Sequence, residues 1–254
     1  MSQDKQSNLF VQSVAKSMNL LEAFGQNPGV LSLNELVDFT GLDRSAVQRM
    51  AYTLVALGYM ERGVGGRGYR LGTKCLDLSF DFLRGHPLIE RASPILIDLQ
   101  NETGERVDLS LFDDLSIIYA LRRQTKRQTF FSGLNGRRLP TFCTSGGRAV
   151  MSCLAPDEVD DILQRSSLEP LTPKTITDAD IIREKVNAAR TDGYSLALEE
   201  SVLGEIVLAS AIVNRKGRPI GAVHISGSRA EWSEPEFVQR FAPLAISAAR
   251  SLRG

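Results

Sequence analysis

The sequence predicts an α+β protein in two modules: a small helical N-terminal module carrying a two-stranded ribbon, and a larger C-terminal module built on an antiparallel sheet. Three patterns carry this. Over residues 32–71, two short amphipathic helices flank a glycine turn and run into a basic hairpin. Beyond residue 106, apolar and polar residues alternate in paired runs, the period of strands half buried in an antiparallel sheet. Strands come in runs, with helices between the runs and at the ends, which favours α+β over an alternating parallel fold.

Val14, Met18 and Leu21, with Leu20 and Phe24 alongside, predict a first helix over 12–25, ended by Asn27-Pro28-Gly29. Ser32-Leu33-Asn34-Glu35 is a capping box, in which the serine serves first-turn amides and Glu35 reaches back to the serine N–H. Leu33, Leu36 and Val37 give that helix one apolar face, and Gly41 supplies a left-handed exit. Asp43 caps the next helix, with Val47, Met50, Ala51, Leu54 and Leu57 as its buried stripe. Arg44, Ser45, Gln48 and Arg49 occupy the other face near its N-terminus. Residues 59–62 and 69–71 read as strands around the tip Gly63-Val64-Gly65-Gly66-Arg67-Gly68.

Helix, turn, helix and hairpin in this order form the layout of a winged helix-turn-helix, whose second helix points its N-terminal side chains into the major groove. Arginine grips guanine O6 and N7 with two hydrogen bonds, and glutamine does likewise with adenine, so Arg44, Gln48 and Arg49 suit base reading. Ser45, Arg62 and Arg67 suit phosphate or minor-groove contacts, which position rather than specify.

Leu76, Phe80 and Leu83, widened by Leu78 and Phe82, mark a linker helix broken by Gly85-His86-Pro87. Its apolar face covers either a second subunit or its own domain. The expected division is 1–72 for the winged helix-turn-helix domain, 73–86 for the linker helix and 87–254 for the C-terminal domain. In the last, a helix is expected over 88–103, then strands around Asp113-Asp114 and a third strand near 128–132. Helices follow over 146–154, 156–165 and 181–189, then two apolar strands over 206–214 and 219–226 around a hairpin. Ser233-Glu234-Pro235-Glu236 opens a C-terminal helix with Phe237, Phe241, Leu244 and Ala248 inward and Pro243 as a kink.

The chain has 254 residues and is 43% hydrophobic, enough for two modest cores. Its formal net charge is zero, which argues against a nonspecific basic coat and leaves recognition to where the arginines sit. Cys75, Cys143 and Cys153 lack zinc spacing, and only two histidines could assist, so no metal and no cofactor are expected and a reducing compartment fits. The start MSQDKQSN has no apolar signal core, and no run reaches transmembrane length. A cytoplasmic protein with a short disordered N-terminal tail and no membrane partner is expected.

An enzyme is not expected: there is no G-x-S-x-G, and two histidines leave little for a triad. Residues 63–68 match G-x-G-x-x-G, but a strand follows where a dinucleotide site needs a helix. Glu199-Glu200, read as neighbours on a strand, face opposite ways, which favours a structural role for one of them. The basic residues Arg122-Arg123, Lys126-Arg127 and Arg137-Arg138 read as a solvated hairpin, with a second nucleic-acid surface or an acidic face of another subunit as alternatives.

With these residues in hand, the chain resembles the IclR family of bacterial transcription regulators over nearly its full length. The N-terminal resemblance rests on Ser13-Val14, the segment from Thr40-Gly41-Leu42-Asp43 to Gln48-Arg49, Tyr52-Thr53-Leu54, Leu57-Gly58-Tyr59 and Tyr69-Arg70-Leu71-Gly72. The C-terminal resemblance rests on Leu139-Pro140, Ser145-Gly146-Gly147-Arg148-Ala149, Gly193-Tyr194, Glu199-Glu200, Gly204 and Ile225-Ser226-Gly227. Ala46 departs from the pattern, where the family often has a hydroxyl residue on the reading helix.

The resemblance implies a GAF-like effector-binding domain with an antiparallel sheet, and a homodimer or homotetramer that represses or activates a catabolic operon from a pseudo-palindromic double-stranded DNA operator. It places effector contacts at Ser145 and Gly146 and pocket walls at Phe131, Leu139, Ala197, Val207, His224 and Ser226. Free amides at the start of the helix near Ser145 suit a carboxylate. Members that take short oxo-acids carry Asp and Cys where this chain has Ala197 and Val207, so a less polar pocket is expected, with Phe130 or Phe131 adding a ring face. The expected effector is a small organic acid, a larger and aromatic carboxylate. The rival reading is a stand-alone small-molecule-binding protein without operator binding.

Overall fold

The computed structural model describes residues 9–124 and 135–254. The expected N-terminal tail, the third strand near 128–132, and Lys126, Arg127, Phe130 and Phe131 lie outside the described residues. The chain divides into two compact units between Phe82 and Leu83.

The first unit holds α1 (Gln12–Gln26), α2 (Leu33–Thr40), α3 (Arg44–Ala56), β1 (Met60–Arg62), β2 (Tyr69–Leu71) and most of α4 (Lys74–Gly85). Local signals set these boundaries. The Ser32 hydroxyl accepts from the Glu35 N–H at 3.2 Å, and the Glu35 carboxylate accepts from the Ser32 N–H at 2.7 Å. Gly41 ends α2 at φ +65°, a conformation that costs glycine nothing. The Asp43 carboxylate then accepts from the Ala46 N–H at 2.8 Å and opens α3. Leu20, Phe24, Leu36, Val47, Ala51, Leu54, Met60 and Tyr69 close the core. Met60 and Tyr69 tie the ribbon to it, and Leu31 bridges to Tyr69 as a third short pairing.

Two expected stripes shift. In α1 the inward residues are Leu20, Ala23 and Phe24, while Val14 and Met18 are 59% and 50% exposed. The two stripes lie more than a third of a turn apart on one helix, and the position of α2 and α3 decides between them. In α3, Val47, Ala51 and Leu54 are buried, Met50 is half-buried, and Leu57 caps the helix in an exposed position. None of the α4 side chains is buried, and Leu76, Leu78, Phe80 and Phe82 are all more than half exposed.

The second unit holds α5 (Pro87–Thr103), β3 (Arg106–Asp113), β4 (Ser116–Arg123), β5 (Arg138–Pro140), α6 (Ser145–Met151), α7 (Pro156–Arg165), α8 (Ala179–Asp192), β6 (Ser195–Leu198), β7 (Glu205–Val213), β8 (Pro219–Ser228) and α9 (Glu234–Ser251). The strands form one antiparallel sheet in the order β5-β4-β3-β8-β7-β6. Alternation divides its faces. Val107, Leu109, Leu208, Val223 and Ile225 pack against α5 and α9, where Phe237 and Phe241 sit. The other face carries Arg106, Asp108, Ser110, Val207, His224 and Ser226 and is covered by α6. Pro243 is carried inside α9, which runs on past it. Among the described residues, no helix is long and apolar enough to cross a membrane.

Candidate functional site

Arg44, Ser45, Gln48 and Arg49 are all exposed on α3, outside its buried stripe. Two are already held. The Arg44 guanidinium donates to the Asn34 side chain of α2, and the Ser45 hydroxyl donates to Asp43 at 2.9 Å. Among the described residues, none forms a hydrogen bond with the Gln48 or Arg49 side chain. Tyr52, one turn beyond Gln48, is 72% exposed and extends this polar surface with a ring and a hydroxyl. Its lack of an inward partner follows from its place outside the Val47–Ala51–Leu54 stripe, a signal the sequence contained. In the ribbon, the Arg62 guanidinium lies 4.3 Å over the Tyr69 ring, which restrains it. Arg67 is exposed at the hairpin tip, and Arg70 bonds Glu61 across the strands at 2.8 and 3.1 Å. This is an exposed, donor-rich surface over the core of the first unit.

In the second unit, a narrow cleft with a volume of about 20 Å³ for water-sized molecules opens on the α6 side of the sheet. The strands supply Arg106, Tyr119, Arg122, Leu139, Ala197, Glu205 and Val207 to it; Arg137 stands just before β5, and Thr144 and Ser145 come from the head of α6. Glu199, Glu200, Ser201 and Val202 enter from the connection between β6 and β7. Leu139, Ser145, Ala197 and Val207 are among its lining, the last two opposite each other in register. Gly146, His224 and Ser226 lie beneath it. A Cβ on Gly146 would fall 2.2 Å from His224 Cε1, so only glycine lets α6 come this close to the sheet. Phe131 lies outside the described residues.

Besides the apolar Ala197 and Val207, charged residues line the cleft. Three arginines and three glutamates line it. Beneath them, Asp108 is fully buried and bridges Arg106 at 3.2 Å and Arg122 at 2.8 and 3.1 Å. Arg106 also clamps Glu205 at 2.7 and 3.2 Å. Burial alone would push the Arg106 pKa down; the Glu205 bond and the Asp108 charge outweigh it and raise it. Arg148, fully buried in α6, holds Glu200 through two bonds of 2.6 Å while its Nε donates to the Phe142 carbonyl at 3.0 Å. Glu200 thus has the structural role expected of one of the two acids. Both acids lie on a turn after β6, with Glu199 at φ +58° and its carboxylate accepting from the Gly204 N–H at 2.9 Å.

The solvated reading of the basic stretch fails at Arg122, whose side chain is 4% exposed and points onto Asp108 and over the Tyr119 ring. Its strand neighbour Asp108 provides a buried counter-charge that the local pattern did not reveal. Arg138 is exposed, and its partner is Asp113 of the same chain, at 2.6 Å. Among the described residues, no cluster of three His, Cys, Asp or Glu could hold a metal.

His224 gives the unit a pH dependence. Burial pushes its imidazole down to about 4, against the opposing pull of Asp108, whereas an unfolded histidine titrates near 6.5. Below 6.5 the unfolded chain takes up a proton that the fold refuses. Stability therefore falls as pH drops from 6.5 toward 4, by roughly 3 kcal/mol over the window. Urea unfolding at about pH 7 and about pH 4.5, followed through the emission of the single Trp232, should show this loss, with a smaller one in His224→Gln.

A winged helix-turn-helix that exposes its arginine-bearing helix, in one chain with a sheet domain that holds a charged cleft, defines a DNA-binding regulator with a ligand-binding domain. Residues 13–63 match the IclR helix-turn-helix domain, and residues 80–253 match the bacterial transcriptional regulator IclR C-terminal domain. The chain belongs to the IclR family of bacterial transcription regulators. It is 28% identical to the Pca regulon regulatory protein of Pseudomonas putida over 244 residues, 96% of this chain and 83% of that protein. A crystal structure of a transcriptional regulator from Rhodococcus sp. RHA1 superposes with a TM-score of 0.80 at 28% identity, covering 96% and 97% of the two chains. The fold is also shared with an IclR homolog from Microbacterium hydrocarbonoxydans complexed with 4-hydroxybenzoate, at a TM-score of 0.75 and 22% identity over 95% and 97% of the chains.

Proposed function

We infer that this regulator is a cytoplasmic repressor of a catabolic operon, bound to a pseudo-palindromic operator as a homodimer or homotetramer and released by an aromatic carboxylate held in the C-terminal cleft. The observation that carries the DNA reading is the exposure of Gln48 and Arg49, without side-chain hydrogen bonds among the described residues, at the solvent face of α3. Gln48, Arg49 and Arg44 read bases, while Ser45, Arg62 and Arg67 hold phosphate or line the minor groove. The exposed apolar residues of α4 support pairing with a second copy. In a dimer the two half-sites stand about one helical turn, roughly 34 Å, or a multiple apart.

The 4-hydroxybenzoate bound by the Microbacterium homolog supports an aromatic acid as effector class. The cleft in this chain offers Tyr119, Leu139, Ala197 and Val207 to a ring, and Ser145 and Arg137 to a carboxylate. Titration of the full chain onto the DNA upstream of its own gene tests the proposal, with and without benzoate and 4-hydroxybenzoate. A shift that an aromatic acid relieves is expected; no shift under either condition favours a stand-alone binding protein. Arg49→Ala should weaken operator binding by about 1–3 kcal/mol and relax selectivity at one base pair, read by competition with single-base operator variants. Unchanged affinity removes Arg49 from the reading set.

A further inference from the structure

Tyr52 is the tyrosine that the fold leaves in water. Tyr69 and Tyr119 are buried, Tyr59 and Tyr194 are half-buried, and Tyr52, in the second half of α3, is 72% exposed. Among the described residues, none forms a hydrogen bond with its hydroxyl. Neither packing nor helix propensity accounts for a ring at this position, since lysine, glutamine and glutamate are better helix formers. Its place on the helix does. At about 100° per residue, Arg44, Gln48, Tyr52, Ser45 and Arg49 follow one another around an arc of about 140°, with Tyr52 near the middle. Ser45, Gln48, Arg49 and Tyr52 also have the i, i+3, i+4, i+7 spacing with which a helix turns one face to a single surface. What Gln48 and Arg49 meet, Tyr52 meets one turn later.

The chemistry of the contact follows from the side chain. A position near the middle of the arc lies over the floor of the major groove, where the base edges are, rather than against the phosphate walls. Tyr52 stands three residues, about 4.5 Å, beyond Arg49, so it reaches a base pair one or two steps further on. Guanine and adenine present paired hydrogen-bonding sites that suit arginine and glutamine and that a single hydroxyl matches poorly. Thymine presents the C5-methyl, an apolar group on the groove floor, with the O4 acceptor beside it. A phenol ring covers that methyl with its flank. Thr53, the neighbouring candidate for a methyl contact, falls outside the arc, and its hydroxyl donates back to the Arg49 carbonyl at 3.0 Å.

We propose that Tyr52 is a specificity-determining residue of the operator contact, which reads a thymine through its C5-methyl. This rests on the reading of α3 as the helix that enters the major groove.

The test replaces single thymines by deoxyuridine, which removes the methyl and nothing else, across the fragment that the full chain protects in the DNA upstream of its own gene. Binding is read by fluorescence anisotropy at one fixed, low salt concentration, where phosphate contacts keep weakened variants measurable. In the native protein, deoxyuridine at one position of each half-site should weaken binding about 4-fold, the worth of one methyl group taken from water. Tyr52→Ala should abolish that difference at that position and leave any others unchanged, while Tyr52→Phe should keep it. Both variants change an exposed side chain and should melt as the native protein does. No deoxyuridine effect in the native protein, or a difference that survives in Tyr52→Ala, overturns the methyl contact while the DNA reading of α3 stands. A difference lost equally in Tyr52→Phe overturns it too, because the hydroxyl then makes the contact. If no fragment upstream of the gene binds, the DNA reading itself fails and takes the contact with it.

Discussion

Arg148→Met should destabilise the C-terminal domain by about 3–5 kcal/mol, the cost of leaving a buried charge without its partner. The guanidinium is fully buried, and Glu200 is 3% exposed. Without Arg148 the Glu200 carboxylate keeps an Ile176 N–H at 3.1 Å, which does not offset a whole charge taken from water. The Phe142 carbonyl loses its donor as well. Trp232 lies within this domain, edge-on to Phe241 at 5.0 Å, so its emission in urea reports this domain's unfolding. The double change Arg148→Met with Glu200→Leu should regain at least half the loss, because it removes the stranded charge along with its partner. A single variant within about 1 kcal/mol of native would show the pair to be dispensable.

The N-terminal module was legible in the sequence because local chemistry decides it. Ser32, Glu35, Gly41 and Asp43 each act within four residues of themselves, and the structure places their hydrogen bonds where the spacing puts them. What failed there was the choice of stripe in α1, since Val14-Met18 and Leu20-Phe24 are both helical pairs and only the neighbouring helices choose between them. In the C-terminal domain β3, β4, β7 and β8 were legible, the short β5 and β6 were not, and neither was the meaning of the polar face. Arg106, Asp108 and Ser110 alternate with Val107, Leu109 and Leu111, which by period alone reads as a solvent face. Here α6 covers that face, and the partners are distant: Arg106 and Glu205 are 99 residues apart, and Arg148 and Glu200 are 52. No window of local sequence contains either pair. The same blindness explains the misreading of Arg122, a residue in a basic run whose counter-charge sits on another strand.

Asp108→Asn should cost about 3–5 kcal/mol of stability and at the same time strengthen the hold of the cleft on carboxylates. The native carboxylate is fully buried and accepts from both Arg106 and Arg122. Asparagine keeps the shape and one carbonyl acceptor but removes the charge, so the two guanidiniums face the cleft with only Glu205 between them. That deficit raises the affinity for an incoming anion, which now supplies a charge the protein lacks. A ligand that binds only the folded state stabilises it in proportion to the logarithm of its concentration over its dissociation constant. Benzoate at a fixed concentration should therefore raise the melting temperature of Asp108→Asn more than that of the native protein, from a lower start. The uncharged benzamide should raise both equally or not at all. Equal shifts with benzoate would mean that the acid does not approach these arginines, and that the buried network serves the fold alone.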